Sequence, residues 1–116
     1  MWAVAVLEAS DKAANPTPAD GAIHGDTWAS LGWLAAPDAV SHDVYFGESF
    51  DDVNEGAEDT FVGNQSEAFL IVGFPGFPVS DGLVPGTTYY WRVDEVNESD
   101  PNSDWKGSIW SFTTTE

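Results

Sequence analysis

Leu83-Val84-Pro85-Gly86-Thr87-Thr88-Tyr89-Tyr90-Trp91-Arg92-Val93-Asp94-Glu95-Val96 is a proline-glycine turn that runs directly into a strand. Pro85 presets its own backbone for a turn, and Gly86 supplies the freedom to leave it. From Tyr89 onward the period is two. Tyr89, Trp91 and Val93 fall on one face, with Tyr90, Arg92 and Asp94 on the other, and the aromatic and β-branched residues suit a pleated surface. The first face is core and the second is wet. Continued strictly, the alternation places Glu95 on the core face. A carboxylate there requires either a bulge that shifts the phase or a buried partner, and Arg92 is out of phase to be one.

Working outward, the same period recurs in shorter runs. Residues 27–34 read as a strand with Ala29, Leu31 and Trp33 inward and Trp28, Ser30 and Gly32 outward. Residues 40–47 read as another, with Val44 and Phe46 as its core pair, His42 in register with them, and Asp43 and Tyr45 facing away. Residues 49–63 are acidic and weakly patterned, which predicts a short strand and a loop anchored by Val53 and Phe61. Residues 67–72 predict a further strand. The Gly-Phe-Pro-Gly-Phe-Pro run at 73–78 cannot sustain a ladder and predicts an ordered loop whose rings cap one end of the core. Residues 109–114 predict the last strand, with Trp110 and Phe112 on one face. Residues 10–23, punctuated by Pro16, Pro18 and Gly21, read as a linker leading into a short edge strand. No stretch of ten or more residues combines helical periodicity with caps, so the chain is expected to be all-β.

The run Leu83, Pro85, Gly86, Thr87, Tyr89, Val93 resembles the start of strand F in fibronectin type III domains. In that family the tyrosine hydroxyl returns to the backbone near the preceding turn, and Tyr89 is the matching position. Leu31 and Trp33 look like that family's strand B, and residues 107–114 like its strand G. The motifs at 42–47, 88–97 and 105–113 are similar to a variant that recurs in large secreted multidomain bacterial proteins. The resemblance implies a seven-stranded fibronectin type III/immunoglobulin-like β-sandwich over residues 15–116, with residues 1–14 as an N-terminal strand or linker. It also implies a secreted or cell-surface module that serves as spacer or docking domain and is not an enzyme. Such sandwiches host many unrelated roles, so function must be read from residues.

Composition narrows those roles. The chain has 116 residues, which is one domain, and no cysteine, so neither disulfides nor thiolate metal sites contribute. Six tryptophans, seven phenylalanines and three tyrosines supply the packing. Twenty acids face three bases, Lys12, Arg92 and Lys106, for a formal charge of -17. That balance argues against nucleic acid and anionic membrane as partners. No run of eighteen apolar residues is present to insert in a bilayer. Only two histidines occur, His24 and His42, and neither sits in a nucleophile or metal motif. Ser41, His42 and Asp43 cannot act as a relay, because neighbours on a strand point to opposite faces.

Three candidate sites remain. Tyr45 and Tyr90 on the outer face of neighbouring strands, with Arg92 and Trp105 near them, would form a stacking platform for polysaccharide. Asp94, Asn97, Glu98, Asp100 and Asp104 crowd one loop with hard oxygen donors, making calcium the candidate cofactor, although the spacing is not that of an EF-hand. At the N-terminus Trp2, Val4 and Val6 alternate with Ala3, Ala5 and Leu7, so a strand built from them is apolar on both faces and needs a partner. That partner would lie in its own domain, in a neighbouring domain, or in another copy, the last giving a self-assembling filament or sheath subunit.

Overall fold

A computed structural model describes residues 12–101 and 103–116. The candidate assembly strand at Trp2, Val4 and Val6 lies outside the described residues. The elements run β1 (Ala14–Thr17), β2 (Ala22–His24), β3 (Ala29–Leu34), β4 (Ser41–Gly47), α1 (Phe50–Glu55), a single 3-10 turn (Glu58–Thr60), β5 (Phe61–Gln65), β6 (Phe69–Val72), β7 (Thr88–Val96) and β8 (Trp110–Thr114). They form two sheets, one of three strands in the order β1-β3-β6 and one of five in the order β2-β8-β7-β4-β5. All pairings are antiparallel except β2 with β8. This is a fibronectin type III/immunoglobulin-like β-sandwich. The proline-rich edge segment is split between the sheets: β1 pairs with β3, then the chain passes Pro18 and Gly21 and β2 joins β8.

The core is built from the inward faces that alternation selects. Ala29, Leu31 and Trp33 from β3, Val44 and Phe46 from β4, Tyr89, Trp91 and Val93 from β7, and Trp110 and Phe112 from β8 are all buried in one cluster. Tyr89 stacks against Phe46 and Phe112, with ring centroids 5.3 and 5.7 Å apart, and Trp91 meets Trp110 edge-on at 4.8 Å. The Tyr89 hydroxyl accepts the Val84 N–H at 2.8 Å, tying β7 to the turn that launches it. Burial raises the phenol of Tyr89 above its ordinary value, against the opposing pull of that Val84 hydrogen bond.

Two local expectations are corrected. Residues 49–55 are not strand: Ser49 Oγ accepts the Asp52 N–H at 3.2 Å, Gly56 takes the left-handed conformation that ends a helix, and between them lies the six-residue α1. One turn of helix with a single buried residue, Val53, leaves no periodicity to read. The phenylalanines of residues 73–78 do not cap the core either. Phe74 and Phe77 are exposed, and Phe74 lies edge-on to the outward Trp28 at 6.3 Å. The turn that follows β6 requires a glycine at Gly73, since at φ +85 a Cβ there would stand 2.5 Å from the Thr27 carbonyl oxygen.

Candidate functional site

β4 and β7 are neighbours at the centre of the five-stranded sheet, in a register that sets Asp43 opposite Asp94, Tyr45 opposite Arg92, Phe46 opposite Trp91 and His42 opposite Glu95. The first two pairs face outward and the last two inward. Each face therefore receives one set of charged side chains.

On the outer face, α1 folds over Arg92 and takes it out of solvent. Its Nη1 donates to the carbonyl oxygens of Val53 and Asn54 at 2.7 and 2.9 Å, near the C-terminal end of α1, where the Val53 carbonyl also accepts the Gly56 N–H at 3.1 Å. Its Nε and Nη2 grip both oxygens of Asp94 at 2.8 Å, a bidentate fork. The guanidinium carbon sits 4.2 Å from the centre of the Tyr45 ring, and Asp94 also accepts the Gly107 N–H at 2.9 Å. Arg92 was expected at the wet rim of a sugar platform. Instead it is 5% exposed and its donors are spent within the domain, because α1 covers a face that strand alternation alone leaves open.

Tyr45 keeps one open side. Its ring lies 5.2 Å from that of Phe61, and Asp43, Tyr45, Gly56, Glu58 and Phe61 line a shallow cleft of about 340 Å³. Burial first, then the negative field of Asp94, raises the Tyr45 phenol, while Arg92 opposes them. Asn64 steadies the rim, donating to Asp43 at 2.9 Å and to Ser41 at 3.0 Å. The other two members of the expected platform lie apart from this cleft. Tyr90 is half-buried and meets Phe50 edge-on at 5.8 Å, and Trp105 is held by a two-bond backbone bridge to Glu95 at 2.9 and 3.0 Å. Phe61 and Glu58 are members that sequence reasoning missed. Phe61 stood out only as an anchor, and nothing in the spacing announced that β5 would lie beside Tyr45.

On the inner face, Glu95 does find a partner. His42 Nδ1 is hydrogen-bonded to Glu95 Oε1, and Glu95 Oε2 accepts the Ala36 N–H at 2.8 Å. Both side chains are buried, and Trp33 closes over the imidazole edge-on at 5.3 Å. No phase shift is needed. Two inward positions on adjacent strands, His42 and Glu95, carry the signal, but it becomes legible only once β4 and β7 are known to pair in this register.

The acidic loop after β7 organises itself around hydrogen bonds. Asn97 donates to the Asp38 carbonyl at 2.8 Å and accepts the Ser99 N–H at 3.0 Å, while Ser103 Oγ accepts the Asn97 N–H and donates to Asp104. Glu98 and Asp104 are exposed. Asp100 donates its N–H to the Asn97 carbonyl at 2.9 Å, and Asp94 is engaged with Arg92. Among the described residues, no three His, Cys, Asp or Glu side chains gather as a metal site.

No family profile and no curated protein matches the chain. Among solved structures the chain is similar to one titled "Crystal Structure of FN3tt", with 18% identity, 89% of this chain and 95% of that one covered, and a TM-score of 0.49.

Proposed function

We propose that this chain is a non-catalytic structural and interaction module of secreted or cell-surface proteins, a rigid acidic unit that separates or docks its neighbours. The observation that carries the reading is where the first strand of the sandwich starts and its last strand ends. β1 starts at Ala14 opposite Leu34, the end of β3, beside the loop that bonds Glu95. β8 ends at Thr114, whose carbonyl accepts the Gly86 N–H at 3.1 Å beside the start of β7. Because β7 runs from the second pole to the first, the start of β1 and the end of β8 lie at opposite poles, an arrangement suited to modules strung end to end. The Arg92–Asp94 ion pair and the buried His42–Glu95 hydrogen bond support the same reading, since they spend the groups that would otherwise be most suited to chemistry on holding the framework. A direct fusion of two copies should give a small-angle scattering profile whose maximum dimension is near twice that of one module; a compact side-by-side pair would overturn the spacer role.

A second reading rests on the cleft at Tyr45 and Phe61. Two rings flanked by Asp43 and Glu58 suit a sugar ring with hydroxyls at its edge. Phe61 is 44% exposed, so Phe61→Ala tests the site without opening the core. Retardation of the parent chain in gels containing a polysaccharide, lost in Phe61→Ala, supports this reading, and equal mobility of both proteins across a polysaccharide panel removes it.

A further inference from the structure

β6 lies at one side of the three-stranded sheet, and its outer edge is open. The Trp33 N–H donates to the Ala68 carbonyl oxygen at 3.2 Å, and the antiparallel register carries that bonding on to the Leu31–Leu70 and Ala29–Val72 pairs. Phe69 and Ile71 alternate with these and turn their N–H and C=O groups the other way. The Gln65 side-chain amide donates to the Phe69 carbonyl at 2.6 Å. Among the described residues, no strand takes up the Phe69 N–H or either backbone group of Ile71. The other edges are guarded as edge strands usually are: β1 contains Pro16, β2 has only three residues, and the register of β5 shifts between Phe61 and Gly63. β6 reads Phe-Leu-Ile-Val, with no proline, bulge or charge.

The surroundings of this edge are apolar. Gln65, Glu67, Phe69, Leu70, Ile71 and Phe77 line a cleft of about 310 Å³ beside it, with Phe69 56% exposed. On the outward face of the same sheet Trp28, Ile71 and Phe74 line a second cleft of about 240 Å³. We propose that the β6 edge takes up an extended peptide from a separate protein, added to the sheet as a further strand, apolar at alternate positions and flanked by lysine or arginine. Main-chain bonds to Ile71 and Phe69 supply the hold, and the clefts on either side receive alternate side chains. Charge selects the partner. Glu67 is the charged member of the cleft lining and the chain carries -17, so a cationic segment is drawn in, whereas a second copy would bring the same edge, the same Glu67 and the same charge. This goes beyond the spacer reading and does not depend on it.

The test mixes the parent chain with the peptide acetyl-Lys-Val-Thr-Val-Thr-Val-Lys-amide. Anisotropy of the labelled peptide should show saturable binding that weakens as sodium chloride is added. Exchange of the Phe69 and Ile71 amide protons should slow by at least about tenfold in the complex. The same peptide N-methylated along its backbone keeps both charges but loses its donors, and it should not bind. Ile71→Pro removes an N–H from the open edge while sparing the ladder to β3, so it should lose binding with little change in melting temperature. Equal binding of the N-methylated peptide, or binding without slowed exchange at Phe69 and Ile71, would overturn the proposal, because charge alone would then hold the peptide on the acidic surface. So would an absence of binding at millimolar peptide. A dimer of the parent chain by light scattering, with those two amides already protected, would overturn it as well, since the edge would then belong to a second copy.

Discussion

Arg92 is the residue on which the outer face of the five-stranded sheet depends. A guanidinium can be buried when carboxylate and carbonyl acceptors are set in its plane, and here Asp94 and the C-terminal carbonyls of α1 provide four of them. Removing it strands Asp94 in the interior and undocks α1. Arg92→Ala should therefore cost about 3–5 kcal/mol in guanidinium denaturation, while Lys106→Ala, at an exposed position, should stay within about 0.5 kcal/mol. A loss below about 1 kcal/mol for Arg92→Ala would show that the pair contributes no more than a surface bridge. At this scale the sequence was partly legible. Alternation put Arg92 and Asp94 on one face and isolated Glu95 as a carboxylate in need of a partner. It could not name His42, because a cross-strand pair depends on register between strands some fifty residues apart.

Among the elements, β7 organises the rest, and its tightest neighbour is the loop leading to β8. A Cβ on Gly107 would lie 2.1 Å from the Val93 carbonyl oxygen, closer than any side chain can sit, and the Gly107 N–H is committed to Asp94. Gly107→Ala must displace backbone on both sides, so a loss of at least about 1–3 kcal/mol is expected from thermal unfolding. Gly25→Ala is the matched comparison, since nothing lies within 4 Å of its Cβ position, and it should change stability by less than about 1 kcal/mol. Elements were legible where one face is core and the other is wet, as in β3, β4, β7 and β8. They were not legible in α1, where one turn is stabilised by Ser49 and Gly56 at its ends and by Arg92 from outside. The aromatic loop at 73–78 misled for a related reason. Rings alone do not say which side of a sheet they cover, and here Phe74 lies against the outward Trp28.

For the whole molecule the dominant physical fact is net charge. Of the three bases, Arg92 is interior and already neutralised by Asp94, so the surface is left to acids with two lysines among them. Repulsion among them opposes the compact state and is screened as the Debye length shrinks from about 30 Å at 0.01 M salt to about 3 Å at 1 M. The melting temperature should rise steadily with sodium chloride over that range, and a flat or falling curve would show that the acids are locally compensated. Calcium at matched ionic strength is the informative companion, because stabilisation beyond that of sodium would assign a specific site among the loop carboxylates. What the sequence determined by itself was the strands with one core face and one wet face, the residues of those strands that face inward and the sign of the surface, because each follows from local periodicity, turn chemistry or composition; the tyrosine tie at Tyr89 was implied by the resemblance to fibronectin type III domains. Tertiary structure alone decided that Arg92 is framework, that His42 answers Glu95, that Tyr45 shares a cleft with Phe61, and that one sheet shows an apolar face. Each of those depends on which strands become neighbours and what is laid over them, and pairing between distant segments is settled by the packing of the whole core.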